Sequence, residues 1–281
     1  MMEKERIVVS LTSYKPRLTN LPKVLDTIFA QSMAPDVVVL NLAYDEVLPD
    51  DVAEYLKIHN IDIFRVADTK VYKKLIPTLK RYPNDAIITI DDDFLYPQGM
   101  IEEFSLLHSE YPDHPIGGSH WSYMGLMVPH CGCASLTKSC FLGDYINEIN
   151  DDLIQHCPCD DIVYSYLSVL NGHPYICTRN EYFLNMQPYN EQISYSESLI
   201  EKTGQQKTFE YLKKRFGELP GFYAAYLGDN ALAYTLQVMT DHELENRLLA
   251  ESDKIRSSHA YKLGKVLTKP FSIIRNILSK S

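Results

Sequence analysis

Five acidic residues in two tight groups are, by type and spacing, the residues of this 281-residue chain best suited to chemistry. Asp91-Asp92-Asp93 follow directly on Ala86-Ile87-Ile88-Thr89-Ile90. That run has the length and β-branched content of a buried strand, and Pro83-Asn84-Asp85 before it is a turn signal. Three carboxylates at a strand end repel one another unless positive charge lies among them. A hard divalent cation takes oxygen ligands and would neutralise them. In open α/β sheets ligands bind at the carboxyl ends of strands, so the triplet reads as a metal site that holds a phosphorylated ligand. The alternative is a solvated acidic turn capping a helix that begins near Pro97. Asp160-Asp161 open a second helical stretch. There they either cap the helix and complement its dipole or supply a base.

Soft ligands form two further groups, His130-Cys131-Gly132-Cys133 and His156-Cys157-Pro158-Cys159. Four of these side chains would suffice for a zinc ion. Both cysteine pairs are one residue tighter than the usual structural-zinc spacing, which counts against that use. Six cysteines in a chain of this size, with no secretion signal, read as reduced thiols.

The elements that position these residues alternate regularly. Strands are expected over 6–12, 36–42, 61–66 and 86–90. Helices are expected over 21–31 (Asn20 as cap, Pro22 in the first turn), 50–58 and 72–82. This alternation predicts an α/β fold with a mostly parallel sheet and helices on both faces. Further helices are expected over 100–108, 160–170 and 206–216 and a strand over 173–178, while 120–140 and 180–200 read as irregular. No glycine precedes Gly99, so the dinucleotide fingerprint and the P-loop are both absent.

Hydrophobic residues make up 45% and charged residues 23%, ordinary values for a globular chain long enough for one large α/β domain or a domain with an appendage. The net charge of −10 argues against a general nucleic-acid binder. The apolar run after the N-terminus is too short for a signal-peptide core, and no stretch approaches a spanning helix. The body is therefore expected in the cytoplasm. From Lys254 onward there are seven Lys and Arg residues and no acid, with Leu263, Val266, Leu267, Phe271, Ile274, Ile277 and Leu278 at helical spacing, divided at Pro270. Such a basic amphipathic segment suits an anionic membrane surface, the alternative being a helix packed on the body or on a partner.

Several segments resemble bacterial family 2-type glycosyltransferases of GT-A fold. They are Val8-Val9-Ser10-Leu11-Thr12-Ser13-Tyr14-Lys15-Pro16-Arg17, Tyr72-Lys73-Lys74-Leu75-Ile76-Pro77, Ile88-Thr89-Ile90-Asp91-Asp92-Asp93 with Tyr96-Pro97, and Cys159-Asp160-Asp161. The resemblance implies a Rossmann-like GT-A domain over 1–240, with a nucleotide-sugar half (1–110) and an acceptor half (111–240), and a helical tail over 241–281. It implies transfer of a sugar from a nucleotide-sugar, with UDP as the nucleotide, to a glycan or lipid-linked acceptor in cell-surface polysaccharide synthesis. The enzyme would act at the inner face of the cell membrane. Asp91 and Asp93 match the Asp-x-Asp motif that binds the donor through Mn²⁺ or Mg²⁺, with Asp93 the direct ligand and Asp92 beside the donor. Ser13, Tyr14 and Arg17 fall where base, ribose and phosphate would lie. Asp45 is a candidate base reader, and Lys73 or Lys74 a donor contact, the alternative for the lysines being a solvated helix face. Asp161 matches the base of an inverting transfer, with Asp160 as the cap or an acceptor contact.

Two other classes remain. Nucleotidyltransferases share the alternation and the metal, but have a glycine-rich loop that residues 10–17 lack. A non-enzymatic, membrane-associated or zinc-linked scaffold is the other.

Overall fold

A computed structural model describes residues 5–118, 120–123, 126–129, 134–178, 186, 189 and 200–219. The C-terminal tail, most of 180–199 and the His130, Cys131, Cys133 group lie outside the described residues.

Strands β1 (Ile7–Thr12), β2 (Val37–Ala43), β3 (Asp62–Val66) and β4 (Ala86–Thr89) form a run of four parallel strands in a seven-stranded sheet. Between them run helices α1 (Leu21–Phe29), α2 (Asp50–Ile58) and α3 (Ile76–Arg81). Helix α4 (Met100–Glu110) precedes β5 (Ile116–Gly117), and β6 (His120–Tyr123) and β7 (Leu126–Pro129) form a separate hairpin. Next come β8 (Ser135–Thr137), α5 (Ser139–Leu142), α6 (Asp151–His156), α7 (Asp160–Leu170), β9 (Ile176–Cys177) and α8 (Ile200–Phe216). The sheet order is β3-β2-β1-β4-β8-β5-β9, with β8 antiparallel to both β4 and β5. The sheet is therefore mixed but mostly parallel.

Alternate side chains along each strand serve opposite faces, as a strand requires. Val9 and Leu11, with Val38, Leu40, Leu42, Ile88 and Ile90, pack under α1, α2 and α4. Val8, Val39 and Ile87 pack under α3, α6 and α7. These strands are buried on both faces, which accounts for their nearly unbroken Val, Ile and Leu content. Each such fully buried side chain contributes about 1.5–3 kcal/mol.

Several boundaries differ from the sequence-based expectation. Residues 72–82 are not one helix: a 3₁₀ turn (Lys70–Lys74) comes first, and α3 starts only at Ile76 with Pro77 in its first turn. Proline lacks the N–H that an interior helical position must donate, so it is accommodated only at a helix start. Asn20 makes no side-chain capping bond to α1. The stretch 120–140 is not irregular throughout, since it contributes the hairpin and β8. Helix α6 is also unanticipated; Leu153 N–H donates to Asn150 Oδ1 at 3.2 Å to cap it.

The topology places the site. The chain steps outward from β1 through β2 to β3, then returns across β1 to β4. The strand order thus reverses between β1 and β4, and their parallel pairing (Val8 opposite Ile87, Ser10 opposite Thr89) brings both carboxyl ends to one edge. Loops diverge at such a reversal and leave a crevice. The segments that emerge there are residues 13–17 and 90–96.

Candidate functional site

Asp91, Asp92 and Asp93 leave the end of β4 among two buried cations, Arg17 and Lys74. Arg17, carried by the loop after β1, reaches Asp92 Oδ1 with Nη1 at 2.8 Å and Asp93 Oδ2 with Nη2 at 3.0 Å. The Ser13 hydroxyl donates to the other Asp92 oxygen at 2.5 Å. Lys74 Nζ lies 2.9 Å from Asp91 Oδ1 and 3.4 Å from Asp160 Oδ2. The longer distance makes the Asp160 contact an ion pair and not a strong hydrogen bond. The Asp91 N–H donates to Tyr96 Oη at 2.8 Å, and the Tyr189 N–H donates to the Asp93 carbonyl at 2.9 Å.

This geometry excludes the capping alternative for the triplet. Helix α4 begins at Met100 behind Gly99, and Asp92 is spent on Ser13 and Arg17. At the second acid pair Cys159 is the N-cap of α7 and makes no side-chain capping bond, so Asp160 and Asp161 are first-turn residues that complement the helix dipole, and Asp160 is directed at Lys74. Asp161 is buried next to it.

Burial sets the electrostatics. It pushes the Asp93 carboxyl up to about 6, with the Asp91 charge adding to the rise and Arg17 opposing it. It raises Asp92 against the pull of Arg17 and Ser13, and raises Asp160 against the pull of Lys74. Burial by itself would lower the Arg17 pKa, but Asp92 and Asp93 outweigh it and keep the guanidinium charged. Two cations thus serve four buried or half-buried acids, and the carboxylates are held under an excess of negative charge.

Those oxygens form a hard donor set with room for a further positive charge, the chemistry that suits Mg²⁺ or Mn²⁺. Among the described residues no three His, Cys, Asp or Glu side chains gather into a ready cage. A cation of that kind is commonly held by one or two carboxylates and completed by a ligand's phosphates. Asp91 and Asp93 fit that arrangement.

The remaining sequence candidates fall as follows. Tyr14 is 37% exposed, its ring centre 5.5 Å from the Arg17 guanidinium carbon. Asp45 is exposed beyond the end of β2 and takes no part in the ion pairs of the cluster. Lys73 and Lys74, at the end of the 3₁₀ turn, are both buried, so neither lies on a solvated face. Lys74 enters the cluster, whereas Lys73 pairs with Asp68. His156 is exposed and stacks on Tyr211, and Cys157 and Cys159 are free thiols.

Sequence reasoning missed the polar network beneath the cluster. Ser10 Oγ donates to the Lys74 carbonyl at 2.6 Å and shares a 2.7 Å hydrogen bond with the Thr78 hydroxyl. The Asn41 amide donates to Thr78 at 2.9 Å and to Ser10 at 3.2 Å. A serine within Ile-Val-Val-Ser-Leu-Thr and an asparagine within Val-Val-Val-Leu-Asn-Leu-Ala were the available signal, because a polar residue in a doubly buried strand needs a partner.

In sequence, no protein-family model and no curated protein matches the chain. Among solved structures, the mannosyltransferase PcManGT from Pyrobaculum calidifontis, in complex with GDP-Man and Mn²⁺, superposes with a TM-score of 0.58 at 14% identity, covering 100% of this chain and 89% of the other. A 4-diphosphocytidyl-2C-methyl-D-erythritol synthase (TM-score 0.46, 11% identity, covering 68% of this chain and 97% of the other) and S. aureus TarS (0.44, 12%, 62% and 35%) are more distant and carry no weight here. At such identities a likeness speaks for architecture alone, and by that measure the chain has an α/β fold of GT-A type, shared with the archaeal mannosyltransferase.

Proposed function

We propose that the chain is a divalent-metal-dependent glycosyltransferase that moves a sugar, with inversion, from a UDP-sugar or related donor to a glycan or lipid-linked acceptor. The observation that supports this most is the meeting of the Asp91-Asp92-Asp93 and Asp160-Asp161 groups, through Lys74, at the sheet's reversal point. A donor needs its diphosphate neutralised, and an acceptor hydroxyl needs a base. One crevice offers carboxylates for both.

In this reading Asp91 and Asp93 would hold Mn²⁺ or Mg²⁺, and the cation would supply positive charge for the departing nucleoside diphosphate. Ser13 and Arg17 fix Asp92, and through it the backbone of the acidic turn, while Tyr14 offers an exposed ring beside the nucleotide. Asp161 accepts the acceptor hydroxyl's proton as that oxygen bonds to the anomeric carbon and the bond from that carbon to the diphosphate oxygen breaks. The domain occupies 1–240, and the basic tail within 241–281 holds it at an anionic membrane face near a lipid-linked acceptor.

A thermal-shift screen of UDP-, GDP- and dTDP-sugars with and without Mn²⁺ tests the reading. One donor class should raise Tm only when Mn²⁺ is present, since a ligand that binds the folded state alone stabilises it by mass action. Asp93→Asn should abolish that rise, and Asp161→Asn should retain it while stopping transfer. No stabilisation by any nucleotide-sugar, or a shift unaffected by EDTA, overturns the proposal.

A further inference from the structure

The 3₁₀ turn Lys70–Lys74 is fastened on both sides. Toward the parallel half of the sheet, Ser10 Oγ holds the Lys74 carbonyl at 2.6 Å, and Thr78 and Asn41 hold Ser10 in turn. Toward the second half, the Tyr72 hydroxyl donates to the Cys157 carbonyl at 2.5 Å, just ahead of α7. The Tyr72 ring also meets Tyr164 of α7 edge-on, with centroids 5.8 Å apart. Lys74 Nζ then lies between Asp91 and Asp160. Lys74 and Asp160 are 5% and 4% exposed, so water screens this ion pair little.

We infer that Lys74 is a positioning residue that bridges Asp91 to Asp160 and so sets the distance between the donor acids at the end of β4 and Asp161 at the start of α7. The inference rests on the glycosyltransferase reading for its consequence, though not for its geometry. Asp160 and Asp161 are consecutive in one helical turn. Pinning the first fixes the bearing of the second. Without the ammonium, Asp91 and Asp160 face each other as like charges with nothing to hold them together, and the repulsion is relieved by a proton on Asp160 or by a shift of the start of α7; either way the tie between the two acids is lost. The backbone of Lys74 is held independently by Ser10, which gives the bridge a fixed anchor.

The experiment uses the full chain and compares wild type, Lys74→Met, Lys74→Arg, Asp160→Asn and the Lys74→Met/Asp160→Asn double variant. Hydrogen exchange in EDTA should show amides 160–164 exchanging at least tenfold faster in Lys74→Met. The double variant should recover most of that protection, because the uncompensated acid is gone, and Lys74→Arg should stay near wild type. In Mn²⁺, hydrolysis of the best-binding nucleotide-sugar should lose at least thirtyfold in kcat in Lys74→Met, with the donor KM within threefold. Unchanged exchange in Lys74→Met, or independent effects of the two substitutions, overturns the bridge. A tenfold rise in donor KM would make Lys74 a donor ligand and overturn the positioning role. If Lys74→Met does not fold, recovery of the fold in the double variant supports the bridge and its failure to recover overturns it. If wild type binds no nucleotide-sugar, the glycosyltransferase reading fails while the exchange arm still decides the bridge.

Discussion

Asp93 carries a conflict between stability and the proposed chemistry, and Asp93→Asn exposes it. Burial first, and Asp91 second, raise its carboxyl from an ordinary 3.8 to about 6 in the folded state. The folded protein therefore holds the Asp93 proton more tightly than the unfolded chain does. Stability from this group is greatest below pH 3.8, falls as pH rises from 3.8 to about 6, and stays low above that. The difference corresponds to about 3 kcal/mol at neutral pH, an upper bound because asparagine also loses the charged half of the Arg17 contact. Metal-free Asp93→Asn should thus be more stable than wild type by about 1–3 kcal/mol at pH 8, or roughly 2–8 °C in Tm. The advantage should shrink to roughly half at pH 5, where the unfolded chain has already released the proton that folded Asp93 still holds, and approach zero only below about pH 3.8. Calorimetry in EDTA at pH 5 and pH 8 measures both values. Adding Mn²⁺ with the donor nucleotide should reverse the order at pH 8, because only wild type gains from binding. A lower Tm for Asp93→Asn at pH 8 in EDTA would refute the reasoning, since it would mean that the ionised carboxylate is net stabilising where it lies.

Three further outcomes follow from the same packing. Tyr72→Phe leaves the Cys157 carbonyl without its buried donor and should cost about 1–3 kcal/mol in urea unfolding; a loss under 0.5 kcal/mol would show that water replaces the bond. Thr78→Val removes the hydroxyl that joins Ser10 to Asn41 at nearly constant volume and should cost about 1–3 kcal/mol, also by urea unfolding. Burial pushes the Cys157 thiol up to about 12 and shields it, whereas Cys140 is exposed. Alkylation of the native protein at pH 8, read by mass spectrometry, should therefore mark Cys140 before Cys157, which reacts only as the chain unfolds.

Much of this protein could be read from order and spacing in the sequence. Strands β1, β2 and β4 were legible because strands buried on both faces require unbroken apolar runs, and those runs alternate with amphipathic helices. Helices α2 and α7 begin and end where periodicity places them, and the acidic triplet was recognisable as a charge problem at a strand end. What the sequence could not specify is which charges meet. Lys73 and Lys74 are identical in type and adjacent, yet one turns to Asp68 and the other enters the cluster, because the Ser10–Thr78–Asn41 network fixes the Lys74 carbonyl. Arg17, read as a phosphate contact, lies against Asp92 and Asp93, a pairing set by the β1–β4 register and not by anything local. Asp45 sits at the corresponding end of β2 and stays outside the ion pairs. The short elements β5 to β8 were hidden because two to four residues are too few to display a period, whereas β9 falls within the strand expected over 173–178. Sequence alone thus determined which segments fold and where negative charge accumulates, since both follow from local composition. Only the tertiary structure decided the partners of those charges, because ion pairs between residues 75 to 86 positions apart depend on strand order and register, which act across the whole sheet.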